Sequence, residues 1–206
     1  MRKRITLLLL SLLLSLSLPA EAEWWTGLNL LYDMNFLAEE NQGYFSGYSS
    51  EGDTVTQVNS LGLSWDNYIV PYKLGKHSIG PALKLQLLFP AGTSDESYLS
   101  YHWEFRADAY LGARYIYMQR SRFGFLAGAG MEYSLYRVAD SNPANDKTAD
   151  VKISWLDEWA VGAELGVIGK SGRCYFELSA SFLYTLFHEK SEGFRVLLRA
   201  GGGYTF

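Results

Sequence analysis

The chain has 206 residues, with 18 basic and 22 acidic side chains, three histidines and one cysteine. A formal net charge of −4 argues against nucleic acid as a partner, and a lone Cys174 excludes an internal disulfide. Aromatic content is high (15 Tyr, 11 Phe, 6 Trp), yet beyond the first residues no stretch approaches the roughly 18 uninterrupted apolar positions of a membrane helix. A membrane-spanning reading therefore requires strands.

The chain opens with Met1-Arg2-Lys3-Arg4, an apolar run from Ile5 to Leu18, and Pro19-Ala20-Glu21-Ala22. A basic start, a short apolar stretch and a small-x-small end predict a secretory signal peptide over 1–22, cleaved after Ala22. No cysteine follows that site, so the lipoprotein form of the signal is not expected. Cleavage removes three of the 18 basic and one of the 22 acidic residues, leaving 15 against 21, net −6, over residues 23–206.

From Trp24 onward the sequence alternates with period two, the signature of strands with unlike faces. In the first strand Trp24, Thr26, Leu28, Leu30, Tyr32, Met34 and Phe36 share one face, and Trp25, Gly27, Asn29, Leu31, Asp33 and Asn35 the other. A long polar segment reaches to about residue 60. The second strand is expected over 61–74, with a slip of alternation near Asp66-Asn67 that predicts a β-bulge. A turn at Gly75-Lys76 leads to the third strand, with Ile79, Pro81, Leu83, Leu85, Leu87 and Phe89 outward. After a 90–97 loop the fourth places Trp103 through Tyr117 outward in alternation, with His102, Glu104, Arg106, Asp108, Tyr110 and Arg114 inward. A turn at Arg120-Ser121 opens the fifth (Phe123, Phe125, Met131 and Tyr133 out; Gly124, Gly128, Gly130 and Glu132 in). The sixth follows a 139–153 loop, the seventh a 169–172 turn, and the eighth a 188–193 loop.

Eight strands with long and tight connections in alternation predict an all-β fold: an eight-stranded antiparallel transmembrane β-barrel in up-and-down meander order. Both termini then lie on the side of the tight turns, the periplasmic side, with the long loops extracellular. A soluble lipocalin-like barrel would invert the faces, with apolar residues inside. Here the charges share a face with the glycines, which suits a narrow lumen. Aromatics gather at the two ends of the strands: Trp24, Tyr117, Phe123, Phe176, Tyr204 and Phe206 at one, Tyr32, Trp103, Tyr133, Trp155, Trp159 and Tyr184 at the other. These are expected to form interfacial girdles.

The last eight residues, Arg199-Ala200-Gly201-Gly202-Gly203-Tyr204-Thr205-Phe206, resemble the C-terminal signal read by the outer-membrane barrel assembly machinery, with Arg199, Gly201, Tyr204 and Phe206 in its positions. Together with leader, strand count and girdles, the chain resembles the small eight-stranded bacterial outer-membrane β-barrel proteins, the group that includes the OmpA membrane domain, OmpX and OmpW. The resemblance implies outer-membrane lipid and the assembly machinery as partners.

An eight-stranded barrel is only wide enough to be filled by its own side chains. The inward positions give Asp33, Glu104, Asp108, Glu132, Glu158, Glu164 and Glu177 against Lys84, Arg106, Arg114, Arg195 and Arg199, so an ion-pair core is expected. Similar depth along neighbouring strands suggests Arg106 with Glu132, and Arg199 with Asp33 across the closing seam. The external loops carry Glu39, Glu40, Glu51, Asp53, Asp95, Glu96, Asp140, Asp146, Asp150, Glu189 and Glu192 against three lysines, while the opposite ends carry Lys73, Lys76, Arg120, Arg122, Lys170 and Arg173. The acidic loops make divalent cations a candidate partner there.

Three functions compete. The first is a monomeric, non-catalytic surface barrel with a plugged lumen, without metal or cofactor. The second is a narrow pore for small cationic or apolar solutes, as the OmpW resemblance implies. A lipid A-modifying enzyme is the third. It would need a serine with a histidine base, and neither His77, His102 nor His188 stands two residues before a serine, the pattern of the deacylases. Pro71 and Pro81, near their shared turn, mark a place of weak strand pairing.

Overall fold

The computed structural model describes residues 22–37, 56–93, 102–120, 122–140, 152–186 and 193–206. All of the expected leader but Ala22, and the four longer loops, lie outside these. Among the described residues the chain forms eight staves: β1 (Glu23–Leu37), β2 (Thr56–Val70, continued after Pro71 by Tyr72–Leu74), β3 (His77–Thr93), β4 (His102–Arg120), β5 (Phe123–Asp140), β6 (Lys152–Ser171), β7 (Cys174–Thr185) and β8 (Gly193–Thr205). Each pairs antiparallel with its sequence neighbours. β1 pairs with β8 from Trp25 opposite Thr205 to Leu37 opposite Gly193, which closes the sheet into a meander barrel. Closure removes every free edge.

Two tight turns are fixed by glycines with positive φ, Gly75 at 64° and Gly172 at 61°, a region closed to most side chains. All the longer connections leave from the other end. The two ends are called the turn end and the loop end below.

The faces alternate as the periodicity predicts. Leu28 and Leu30 are 66% and 68% exposed, while Asn29 and Leu31, the residues after each, are buried. Leu111, Leu165, Phe176 and Leu178 are likewise exposed on the outer wall. An apolar surface that encircles a molecule far exceeds what water tolerates, and it matches the lipid-facing band of a membrane-spanning barrel. No helix among the described residues is long and apolar enough to cross a membrane. Rings pack in pairs at both ends: Trp24 with Phe206 (6.1 Å between centroids) and Tyr204 with Phe206 (5.0 Å) at the turn end, Tyr133 with Trp159 (5.0 Å) toward the loop end. The Trp103 side chain lies outside the described residues.

Polar side chains on the outer wall have specific partners. The Trp65 indole donates to Thr26 Oγ1 (2.9 Å) and the Trp24 indole to Asn67 Oδ1 (3.2 Å). Each pairing satisfies an N–H that would otherwise face lipid.

The bulge expected at Asp66-Asn67 is not there. β2 pairs with β1 through both residues without a shift, Asp66 inward and Asn67 outward. The surplus residue comes later: Tyr68 stands opposite Ala82 and Tyr72 opposite Ile79, so Ile69, Val70 and Pro71 oppose only Gly80 and Pro81. Pro71 has no N–H for the ladder, which makes it the natural point of release. β2 also begins earlier than expected, at Thr56, and β3 runs through Pro90 to Thr93. Ladder hydrogen bonds continue where apolar alternation has stopped, because the backbone pairs regardless of side-chain polarity.

Glycines inside the barrel make room for tyrosines. Gly112 and Gly130 are paired on β4 and β5. A Cβ on Gly112 would lie 2.5 Å from the Tyr110 hydroxyl, and one on Gly130 2.7 Å from Tyr110 Cζ. The ring of Tyr110 thus lies across the space those two positions leave open. Gly27 and Tyr175 stand in the same relation near the β8–β1 seam, with 2.5 Å from a Gly27 Cβ to the hydroxyl.

The lumen as candidate functional site

Inward side chains stack in layers from the turn end. The first is apolar: Trp25, Val70, Ile116, Leu126, Ile168 and Tyr175 form one buried cluster, joined by Tyr68, Ala82 and Tyr110 and flanked by Met118. Trp25 packs on Tyr175 at 5.2 Å and edge-on to Tyr68 at 6.2 Å. These residues come from seven of the eight staves, and their side chains meet inside the barrel.

Just beyond lies an ionic layer centred on Glu164. Its Oε1 takes Lys84 Nζ at 2.6 Å, Arg114 Nη2 at 3.0 Å and Arg199 Nη1 at 3.4 Å, and accepts from Ser179 at 3.0 Å. Arg114 also holds Glu177 at 2.8 Å and lies 3.9 Å from Asp66. Arg199 donates to Ser181 Oγ at 2.5 Å, and Ser64 donates to Asp66. Three acids (Asp66, Glu164, Glu177) face three bases (Lys84, Arg114, Arg199), so this layer is neutral, as a desolvated cluster requires. Aromatic faces complete it, Lys84 standing 4.9 Å from the centre of the Tyr110 ring and Arg114 5.9 Å from that of Tyr68.

The second ionic layer lies nearer the loop end. Arg106 Nη2 is 2.7 Å from Asp33 and its Nε donates to Asp108 at 3.0 Å. Arg195 pairs with Glu132 and lies 3.9 Å from Asp108, while Gln86 donates to Glu132 at 2.9 Å. Leu31, Leu88, Ala160, Leu183 and Leu197 pack as a second apolar cluster. Among the described residues this layer has three acids and two arginines. Above it Glu158 accepts from the Tyr136 hydroxyl at 2.9 Å and from Thr185 at 2.5 Å.

Both expected pairs are re-sorted. Arg106 lies opposite Tyr136, and Glu132 opposite Tyr110, four residues deeper on β4, so their depths differ by two inward positions. Arg199 lies opposite Leu31, one inward position below Asp33. The staggered register of a barrel sends each long arginine across the bore to a partner at its own level. Glu104 is the surplus residue where pairing steps from Trp103 to Phe105; its side chain, like that of His102, lies outside the described residues.

Several lumen partners carry no formal charge or were obscured by the misplaced bulge. Asp66 sits where the polarity pattern breaks, so alternation alone does not place it inward. Ser64, Gln86, Ser179, Ser181, Thr185 and Tyr136 are uncharged, and their inward parity alone marks them.

At the turn end one acid, Glu23, stands among the bases, which the basic residues alone do not suggest. Glu23 pairs with Lys73 and, at 3.3 Å, with Lys170, whose ammonium sits 4.7 Å from the Trp25 ring centre. The side chain of Arg120 lies outside the described residues. The acidic loop residues lie outside them too, apart from the backbone of Asp140, which ends β5. His77 is on the outer wall beside the Tyr115 hydroxyl (2.5 Å), and His188 lies outside the described residues. No group of three potential metal ligands occurs among the described residues.

The residues of the C-terminal motif divide between faces. Arg199 is buried in the Glu164 layer, Gly201 lies against Asn29, and Tyr204 and Phe206 lie on the outer wall. Phe206 and Trp24 exchange backbone hydrogen bonds of 2.8 and 3.3 Å across the seam.

No family model and no curated protein matches the sequence. Solved structures do match. Neisserial surface protein A superposes with a TM-score of 0.58 at 11% identity, over 89% of this chain and 97% of that one. Ail, the attachment invasion locus protein of Yersinia pestis, gives 0.51 at 9% identity, over 90% and 99%. OprG from Pseudomonas aeruginosa gives 0.47 at 13% identity. At such identities the first two matches concern fold alone, and the fold is that of the small eight-stranded outer-membrane β-barrels.

Proposed function

We propose that the chain is a monomeric, non-catalytic outer-membrane barrel with a closed lumen, whose role is structural or made at the cell surface by its loops. In this reading residues 1–22 are a cleaved leader, the turn end is periplasmic, and Arg199, Gly201, Tyr204 and Phe206 address the chain to the barrel assembly machinery. One observation carries it: the neutral Glu164 layer lies next to a buried apolar layer contributed by seven of the eight staves. A hydrated ion entering from the loop end would have to displace paired charges and then cross Trp25, Ile116, Leu126 and Ile168, at a desolvation cost of several kcal/mol (order of magnitude). Acidic loops would hold divalent cations against anionic surface lipid, a contact suited to a protein that acts through its exterior.

Liposome swelling tests the closure. Vesicles carrying the refolded chain should swell in small sugars no faster than empty vesicles. Swelling that depends on solute size would establish a pore instead.

A further inference from the structure

The outer wall at the turn end carries two depressions side by side. One, about 390 Å³, is lined by Thr26, Gly27, Leu28, Trp65, Gly202, Gly203 and Tyr204. The other, about 380 Å³, is lined by Trp24, Trp65, Asn67, Ile69, Pro81 and Leu83, with Ala82 and Leu111. Both have causes in the sequence. Gly202 is an outward position without a side chain, opposite Leu28 on one neighbour and Phe176 on the other. The second depression, lined by Ile69 and Pro81, lies beside the bulge at which β2 changes register against β3.

Between them runs a braced ridge. Trp65 belongs to both linings, and the Trp65–Thr26 and Trp24–Asn67 hydrogen bonds hold both indoles in place. At the foot of the first depression Arg173 donates to the Tyr204 hydroxyl at 3.4 Å. Lys73, Lys76, Arg122 and Arg173 are exposed on the same rim, whose acid Glu23 is engaged by Lys73 and Lys170.

We propose that this face is a binding site for one anionic diacyl phospholipid of the turn-end leaflet. Its two acyl chains lie in the two grooves, on either side of Trp65. The phosphate rests at the basic rim, beside Arg173. The ridge separates the chains, and rigid indoles hold the grooves open at little entropic cost. A second copy of the chain suits the face less well, because it would bring two basic rims together.

The inference rests on the membrane reading, and the test separates the two. The chain from residue 23 is refolded into phosphatidylethanolamine vesicles containing one quarter phosphatidylglycerol, extracted in mild detergent and weighed by native mass spectrometry. The expected species is a monomer carrying one phosphatidylglycerol, in excess over its share of the vesicle. Arg173→Gln, on an exposed side chain, should reduce that preference roughly fivefold, the worth of one basic group at an anionic surface. Thr26→Phe, which fills the first groove, should lower the amount of either lipid retained. A lipid-free monomer, lipid in the vesicle's own ratio, or a lipid-free dimer would overturn the site while leaving the membrane barrel intact. Failure to insert into vesicles at all would overturn the membrane reading, and the site with it.

Discussion

Glu164 and Glu158 are both buried carboxylates, but their surroundings predict different consequences of losing charge. Glu164 is contacted by three cations, and Glu164→Gln leaves Lys84, Arg114 and Arg199 without their common partner. Removing one side of a buried ion pair costs about 3–5 kcal/mol, so the urea midpoint of unfolding from vesicles should fall markedly. Glu158 is held by two hydroxyls. Its replacement by Gln keeps an acceptor for one of them, and the loss should stay near the roughly 1 kcal/mol of a single hydrogen bond. Equal losses in the two variants would show that the ionic layers do not carry the stability assigned to them. Parity along a strand shows that Glu164, Lys84 and Arg199 point inward. It does not show which one meets which, because that depends on stagger between strands far apart in sequence.

At the level of the strand, close packing inside the narrow bore depends on small residues beside large rings. Gly130→Ala would press a methyl onto Tyr110 and the backbone of Gly112. Overpacking of this kind costs about 1–3 kcal/mol. A second change, Tyr110→Ala, should recover part of the loss, giving a non-additive double-mutant cycle by unfolding. Additive losses would mean that the ring and the glycine do not share that space. Strand existence and facing were legible from alternation alone, as for Leu28 to Asp33. The position of the bulge was not. Asp66-Asn67 breaks the pattern of polarity, but the register runs through both; Asn67 is outward by parity and accepts there from an indole on β1, a partner that only tertiary structure supplies.

For the whole molecule, eight staves and an interior lined by large, mutually packed side chains belong together. The number of strands sets a bore narrow enough for side chains to meet across it, and the inward residues line it with an apolar layer at the turn end and two ionic layers, the upper one beside a second apolar cluster. Strand number followed from turn chemistry and loop alternation. The apolar layer is not legible in the sequence, because Trp25, Ile116, Leu126 and Ile168 resemble ordinary exceptions to a polar face until the register gathers them at one end. Arg106 spans from β4 to Asp33 on β1 in the upper layer. Arg106→Ala should therefore loosen that half and lower stability by about 3–5 kcal/mol, yet leave permeability low while the layers beneath it remain.

Single-channel conductance of the refolded chain in a planar bilayer tests closure of the lumen most directly. Protein shown to be folded and inserted should give no defined openings, and neither should Arg106→Ala. Stable openings with a preference for cations would contradict the account, and would mean that the apolar layer around Trp25 parts to let ions through.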